Sequence, residues 1–400
     1  MISSRTITGI DYKRLIKKET MAGKKKLYLL LLIICVFSTP KNHSPILASQ
    51  NELPEQMEFR RHFHCYNCNV DWNALADLKN NSIFTTCMTG ATREQLESLL
   101  IPDLTARLQE LQRGNLIIEN EDAYELAFPA IIGTKRAKLQ EAVEHTASAL
   151  LPVSEEIIQK IIPHLQGRED MLYHVLWSIV MDGVAWITVK TELGKQLNKD
   201  NVSIRGISWV MYPNHPYDCG TNTYDDLQIG KVKITWSTTT ALTPSAPWVL
   251  HETIKKYDNQ LTQSLTTGQP IKNQQARQDL AQYGLVDDKG QLTAYIIDAN
   301  SQAAQIFYQL GLEFGRKAMA HLDVQKVTDL LDVTPEQALV IAYHEICYEI
   351  LEKLATKETL QVPEIVLKSE AGSDQMYRLI SIISVSDPNS LEQLYQDLGL

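Results

Sequence analysis

No glycine-rich phosphate loop, no Gly-x-Ser-x-Gly elbow and no calcium-loop spacing occurs in this 400-residue chain. Their absence removes the motif grounds for a P-loop nucleotide enzyme, an elbow-type serine hydrolase and an EF-hand protein. Low-complexity stretches and blocks of like charge are missing as well. Cysteine is scarce, at six residues. The apolar run near the N-terminus, Leu27 to Phe37, falls short of the about 20 residues that cross a bilayer. Against these absences stands an ordinary hydrophobic fraction of 44%, enough for a folded chain with a sizeable core.

What is present at the N-terminus has an order. Lys24, Lys25 and Lys26 precede the apolar run, and Leu47-Ala48-Ser49 ends in small residues. Basic, apolar and small-residue segments in that sequence make a secretory signal peptide, here spanning residues 1–48 with cleavage near Ala48. Met21 is an alternative start, because Met1 to Thr20 adds nothing to the signal. A lipid anchor at Cys35 is disfavoured by the bulky Ile34 before it. An uncleaved membrane anchor at residues 27–37 stays open. The expectation is export, to the periplasm or the exterior, with membrane contact only through a retained signal segment. Residues 49–58, polar and carrying Pro54, read as a disordered tail.

Charge sharpens the picture. Residues 1–48 hold nine Lys and Arg and two acids, so the totals of 38 and 48 fall to 29 bases and 46 acids. A mature chain of net charge −17 repels phosphate backbones and anionic lipid heads.

The clearest unit lies within residues 59–132. Trp72, Leu75 and Leu78 suggest a short amphipathic helix. Thr92 and Gln95 form a capping box ahead of Leu96, Leu99 and Leu100. After Pro102, Asp103 can cap a helix whose Leu104, Leu108 and Leu111 share one face, with Gly114 ending it. Leu116-Ile117-Ile118, an acidic turn at Glu119 to Asp122, and Tyr124 to Phe128 read as a hairpin. This order of helix, turn, helix, Gly and hairpin resembles the winged helix-turn-helix domain of bacterial regulators, over about 40 residues (92–129) of the 400. The resemblance implies that the second helix of the pair enters a DNA major groove. Its candidates there are Thr105, Arg107, Gln109, Glu110, Gln112 and Arg113. Residues 92–130, however, contain three bases and eight acids, which argues against the family's usual ligand.

The remainder predicts an α+β fold. A helical connector occupies 133–182, interrupted at Pro152 and Pro163. An α+β domain follows over 183–297, its small antiparallel sheet drawn from Val184 to Lys190, Ile204 to Tyr212 and Ile229 to Ser237. In the last, Val232, Ile234 and Trp236 alternate with Lys231, Lys233 and Thr235. Helices at Trp248 to Leu265 and Ala276 to Tyr283 precede Gly284 to Ile297, which reads as a hairpin and a second wing. Residues 298–400 are mainly helical, with Thr334, Pro335 and Gln337 opening the strongest helix.

Three clusters carry candidate chemistry. His62, His64, Cys65 and Cys68 are weak metal candidates, because the spacing is poor for a structural zinc site. Cys65, Cys68 and Cys87 are disulfide candidates in an oxidising compartment. A haem attachment is excluded by Asn69, where that motif needs His. His344-Glu345 begins a zinc-protease helix motif, but Tyr348 stands at the second ligand position. Glu345, Glu349 and Glu352 read as a solvated stripe, and His344 as a core histidine. The loop Tyr212 to Asp226 offers His215, Asp218, Cys219, Asn222, Asp225 and Asp226 as a binding site, since function concentrates in such loops. The bland alternative is a long surface turn.

No catalytic constellation and no cofactor emerge. The sequence therefore predicts an exported, non-catalytic binding or regulatory protein with a protein or peptide partner and no nucleic acid. The alternatives are a cytoplasmic winged-helix transcription regulator and an exported hydrolase built on the His215 loop.

Overall fold

The computed structural model describes residues 60–64, 71, 74–75, 77–120, 123–197, 207–211, 219–237, 245–363 and 378–384. The signal segment, the 49–58 tail, Cys65, Cys68, His215 and Asp218 lie outside them. The described residues form an α+β protein in which helices predominate over three small sheets.

The N-terminal elements are β1 (Arg60–His64), α1 (Asn81–Cys87), β2 (Ala91–Thr92), α2 (Arg93–Glu97), α3 (Leu104–Arg113), β3 (Ile117–Asn120), β4 (Ala123–Leu126) and β5 (Ala130–Ile131). The capping box of α2 is formed: the Thr92 side chain accepts from Gln95 N, and the Gln95 side chain accepts from Thr92 N. Strands β2, β4 and β3 make one antiparallel sheet in that order. Leu96, Leu104, Leu108 and Leu111 are buried with Ile83, Phe84 and Tyr124 in a separate small core. Gly114 ends α3, and a Cβ there would lie 2.7 Å from that of Asp71, so the chain closes only around glycine. Helix α1 was not legible. Its Asn-Ser-Ile-Phe-Thr-Thr-Cys sequence has weak helix propensity and is held by burial of Ile83, Phe84 and Cys87.

The remaining elements are α4 (Gly133–Ile161), α5 (Glu169–Gln196), β6 (Ile207–Met211), β7 (Cys219–Tyr224), β8 (Lys231–Ser237), α6 (Ser245–Thr267), α7 (Gln274–Ala281), β9 (Tyr295–Asp298), α8 (Gln302–His321), α9 (Val324–Leu331), α10 (Pro335–Thr356) and β10 (Arg378–Ser384). Helix α4 runs through Pro152 without interruption. Burial of Leu139, Val143, Leu150 and Ile158 on one face outweighs the one backbone bond that proline removes.

Helix α5 corrects a second expectation. Val184 to Lys190 is helical, not a strand. A short apolar run has no period to distinguish the two, and here it continues a helix already buried on all sides. Residues Val175–Ala185 of α5 are π-helical. The helix is long and apolar enough to span a membrane, yet 83% of its apolar window is buried inside the protein. It is the core helix, sharing one cluster with α4, α8, α9 and α10 through residues such as Trp177, Phe307, Phe314 and Tyr343.

The four-stranded sheet has the order β7-β8-β10-β9. It is mixed, not antiparallel, because β9 pairs parallel to β10. The other small sheet, β1-β6-β5, is mixed as well. The expected second wing is only a minimal hairpin: Val286 and Leu292 make a single antiparallel bridge, Asp287 N donates to the Gln291 carbonyl at 2.8 Å and Thr293 N to the Leu285 carbonyl at 3.0 Å, and Tyr295 to Asp298 leave to join β10. Both faces of the four-stranded sheet are covered. Tyr224, Val232, Ile234, Ile380 and Ile382 pack on α6 and α7. The opposite face, with Cys219, Lys233, Thr235, Ser381 and Ile383, is buried too, against α5 and α10.

Candidate functional site

Helices α2 and α3 and the turn between them flank an open cleft of about 510 Å³ lined by Arg93, Glu97, Ile101, Asp103, Leu104 and Gln109, among others. Thr105, Ala106, Gln109, Glu110 and Arg113 are exposed on α3. Arg107 turns away from that face. Its guanidinium donates to Asp77 and to Asn80, each at 2.9 Å, and holds the Asp77 carboxyl below its usual range. Arg93 donates to Glu97 at 2.9 Å and to Thr105 at 2.6 Å. The turn between the helices puts Leu100 and Asp103 in the left-handed region, with φ of 53° and 55°. Leu100 is 87% exposed.

The described loop residues named from the sequence do not converge. Cys219 is fully buried, with its thiol 3.2 Å from the Tyr173 hydroxyl and its carbonyl accepting from Tyr348. Asn222 lies on the opposite face of the same strand, by the two-residue alternation. Asp225 is exposed, and Asp226 accepts from His251 and Lys255, each at 2.7 Å. Those two partners hold the Asp226 carboxyl down at about 2.

A polar seam that the sequence did not reveal runs between α5 and the sheet. Neighbouring strands align Thr223 with Lys233 and Lys233 with Ser381. His174 bonds Thr235 at 2.7 Å and Ser381 at 2.8 Å. Ser178 bonds Thr221 and Thr235 through its hydroxyl. Lys233 donates to the Ser178 carbonyl at 3.1 Å and to Thr223 at 3.3 Å. Burial pushes the His174 imidazole down to about 3, and the Lys233 ammonium down to about 8. Gly183 makes room: a Cβ there would sit 2.8 Å from the Ser178 carbonyl oxygen and 3.3 Å from Lys233 Nζ. Such a network fixes a unique register between helix and sheet.

Next to the seam, Asp182 of α5 faces His344 of α10, with Nε2 3.3 Å from Oδ1. The other ring nitrogen is 2.7 Å from the Val340 carbonyl. Lys190 lies 5.6 Å from the Trp186 ring centroid, and burial lowers its ammonium. His344 is buried, but the stripe beside it is not solvated. Glu345 is 0% exposed and faces Arg136 of α4 at 3.6 Å. Glu349 is largely covered and pairs with Lys353. Helix α10 is wrapped by its neighbours, and a helical period in the sequence cannot show that. One signal for the seam was available: Asp182 is the sole acid in the otherwise apolar stretch 171–189.

Cys87 is a buried free thiol, pushed up to about 12 by burial; its disulfide candidates Cys65 and Cys68 are outside the described residues. His62 and His64 sit in β1 at the register positions of Trp209 and Ile207. Among the described residues, no group of three or more His, Cys, Asp or Glu is placed to hold a metal. The chain matches no protein-family model, no curated protein and no solved structure.

Proposed function

We propose that the unit from α1 to β4 is a winged-helix module used for protein or peptide contact, in a non-catalytic binding or regulatory protein. The observation that carries this is the charge and orientation of α3. The order of α1, β2, α2, α3 and a hairpin joined to β2 supports the winged-helix part. The exposed face of α3 supports the ligand class. Arg107, one of three bases in residues 92–130, is committed inward to Asp77 and Asn80. The same residues contain eight acids, and such a charge balance repels a phosphate backbone. In this reading the module works outside the cytoplasm, supported by the order of Lys24 to Lys26, Leu27 to Phe37 and Leu47 to Ser49.

A photo-crosslinking residue at Gln109, in the full chain expressed in its native cell, tests the contact. Protein adducts are expected; nucleic-acid adducts, or none, overturn the reading. Duplex DNA titrated by fluorescence anisotropy should bind no tighter than about 10⁻⁵ M at physiological salt. N-terminal sequencing of fractionated protein should find a start between Ser44 and Asn51. Cytoplasmic protein with residues 24–37 intact would remove export.

A further inference from the structure

The cleft between α2 and α3 has the chemistry of a receptor for a cationic protein segment. We infer that it takes a lysine- or arginine-rich stretch of a partner that carries an apolar side chain. This rests on the protein-contact reading above and adds the class of partner.

Two features define the occupant. The first is apolar. Ile101 and Leu104 line the cleft, and Leu100 stands beside it, 87% exposed. A leucine held in the left-handed backbone region, at φ 53°, gains no burial from its own chain in return for that conformation. An exposed leucine next in the chain to apolar cleft residues offers a partner area to bury.

The second feature is charge. Glu97 and Asp103 line the cleft, and Glu94 on α2 and Glu110 and Arg113 on α3 are exposed, two further acids against one further base. Arg93 is the sole base among the lining residues, and it is already engaged by Glu97 and Thr105. Complementary potential therefore favours a positive partner and speeds its approach. The same field disfavours the rival occupants. Nucleic acid is repelled by these carboxylates. A second copy of this chain brings 46 acids and 29 bases beyond residue 48, a like-charged surface.

Three fluorescein-labelled peptides probe the full chain by anisotropy: one of Lys and Leu, one of Lys and Ser, one of Glu and Leu. The Lys/Leu peptide is expected to bind, more weakly as salt rises, and the other two at least about tenfold more weakly. Leu100→Ser should weaken it about fivefold, and so should the double variant Glu97→Gln, Asp103→Asn. Asparagine tolerates the left-handed backbone at 103, so this variant keeps the turn. The distant double variant Asp288→Asn, Glu252→Gln removes the same charge and should leave binding unchanged. Equal losses in the two charge variants, or equal affinity for the three peptides, overturn the inference. Protein adducts at Gln109 whose partner segment is acidic or neutral leave the contact reading standing and overturn the cationic one. Nucleic-acid adducts there overturn both.

Discussion

Lys233 Nζ donates to the carbonyl oxygen of Ser178 at 3.1 Å, joining the middle of the sheet to the π-helical stretch of α5. The ammonium is removed from water, and burial lowers it from 10.5 to about 8. Between those values the unfolded chain binds the extra proton, so this lysine makes stability rise with pH across that window, by about 3 kcal/mol. Urea unfolding of the parent and of Lys233→Met at pH 7, 8.5 and 10 should show the parent gaining on the variant as pH rises. Parallel curves would mean that Lys233 is solvated.

His174 acts at the other end of the scale. Its neutral ring is held by Thr235 and Ser381, and burial lowers it from 6.5 to about 3. Its contribution is complete above 6.5 and declines as pH falls toward 3, by up to about 5 kcal/mol. His174→Gln should lose less stability than the parent between pH 6.5 and 4, read from denaturation midpoints at each pH.

Arg136 and Glu345 form a buried pair between α4 and α10. Arg136→Leu alone or Glu345→Leu alone should cost about 3–5 kcal/mol by leaving one charge uncompensated. The double variant should cost less than the two single costs added, a coupling that a double-mutant cycle measures. Additive costs would show that the two side chains do not interact.

Leu108 is 1% exposed in the small core of the N-terminal unit. Leu108→Asp should cost several kcal/mol, about 3 or more, by burying an unpaired charge. Leu108→Ala should cost about 2–5 kcal/mol through the cavity it leaves. Thermal melts that match the parent would refute the packing of α3.

The parts of the fold legible in the sequence are those decided within one turn or one face. Thr92 with Gln95 and Thr334 with Gln337 announce helix starts because the bonds they make are local. Leu104, Leu108 and Leu111 announce a buried face by spacing alone. The seam was illegible for the opposite reason. Lys233 and Thr235 alternate with apolar neighbours, yet their face is buried by α5, from more than 50 residues upstream. Glu345 shares a face with two other glutamates, and only the arrival of α4 makes it internal. Of the loop set, Cys219 was named for its chemistry but is held as packing, while Asn222 shares its strand and not its face. The cleft beside Leu100 was half visible: the helix pair could be read, but not the backbone turn that leaves that leucine outside.

The π-helical stretch of α5 also decides where this helix can change its length. Each of its turns, bonded i to i+5, holds one residue more than an ordinary helical turn. Losing one residue between Val175 and Met181 can therefore be absorbed by relaxation to i to i+4 bonding, with Asp182, Trp186 and Lys190 kept on the faces they now occupy. The same loss within Trp186–Gln196, which is ordinary α-helix, would turn everything beyond it by about 100° and shift it by about 1.5 Å. The π turns are a reserve of slack in an otherwise fixed core helix.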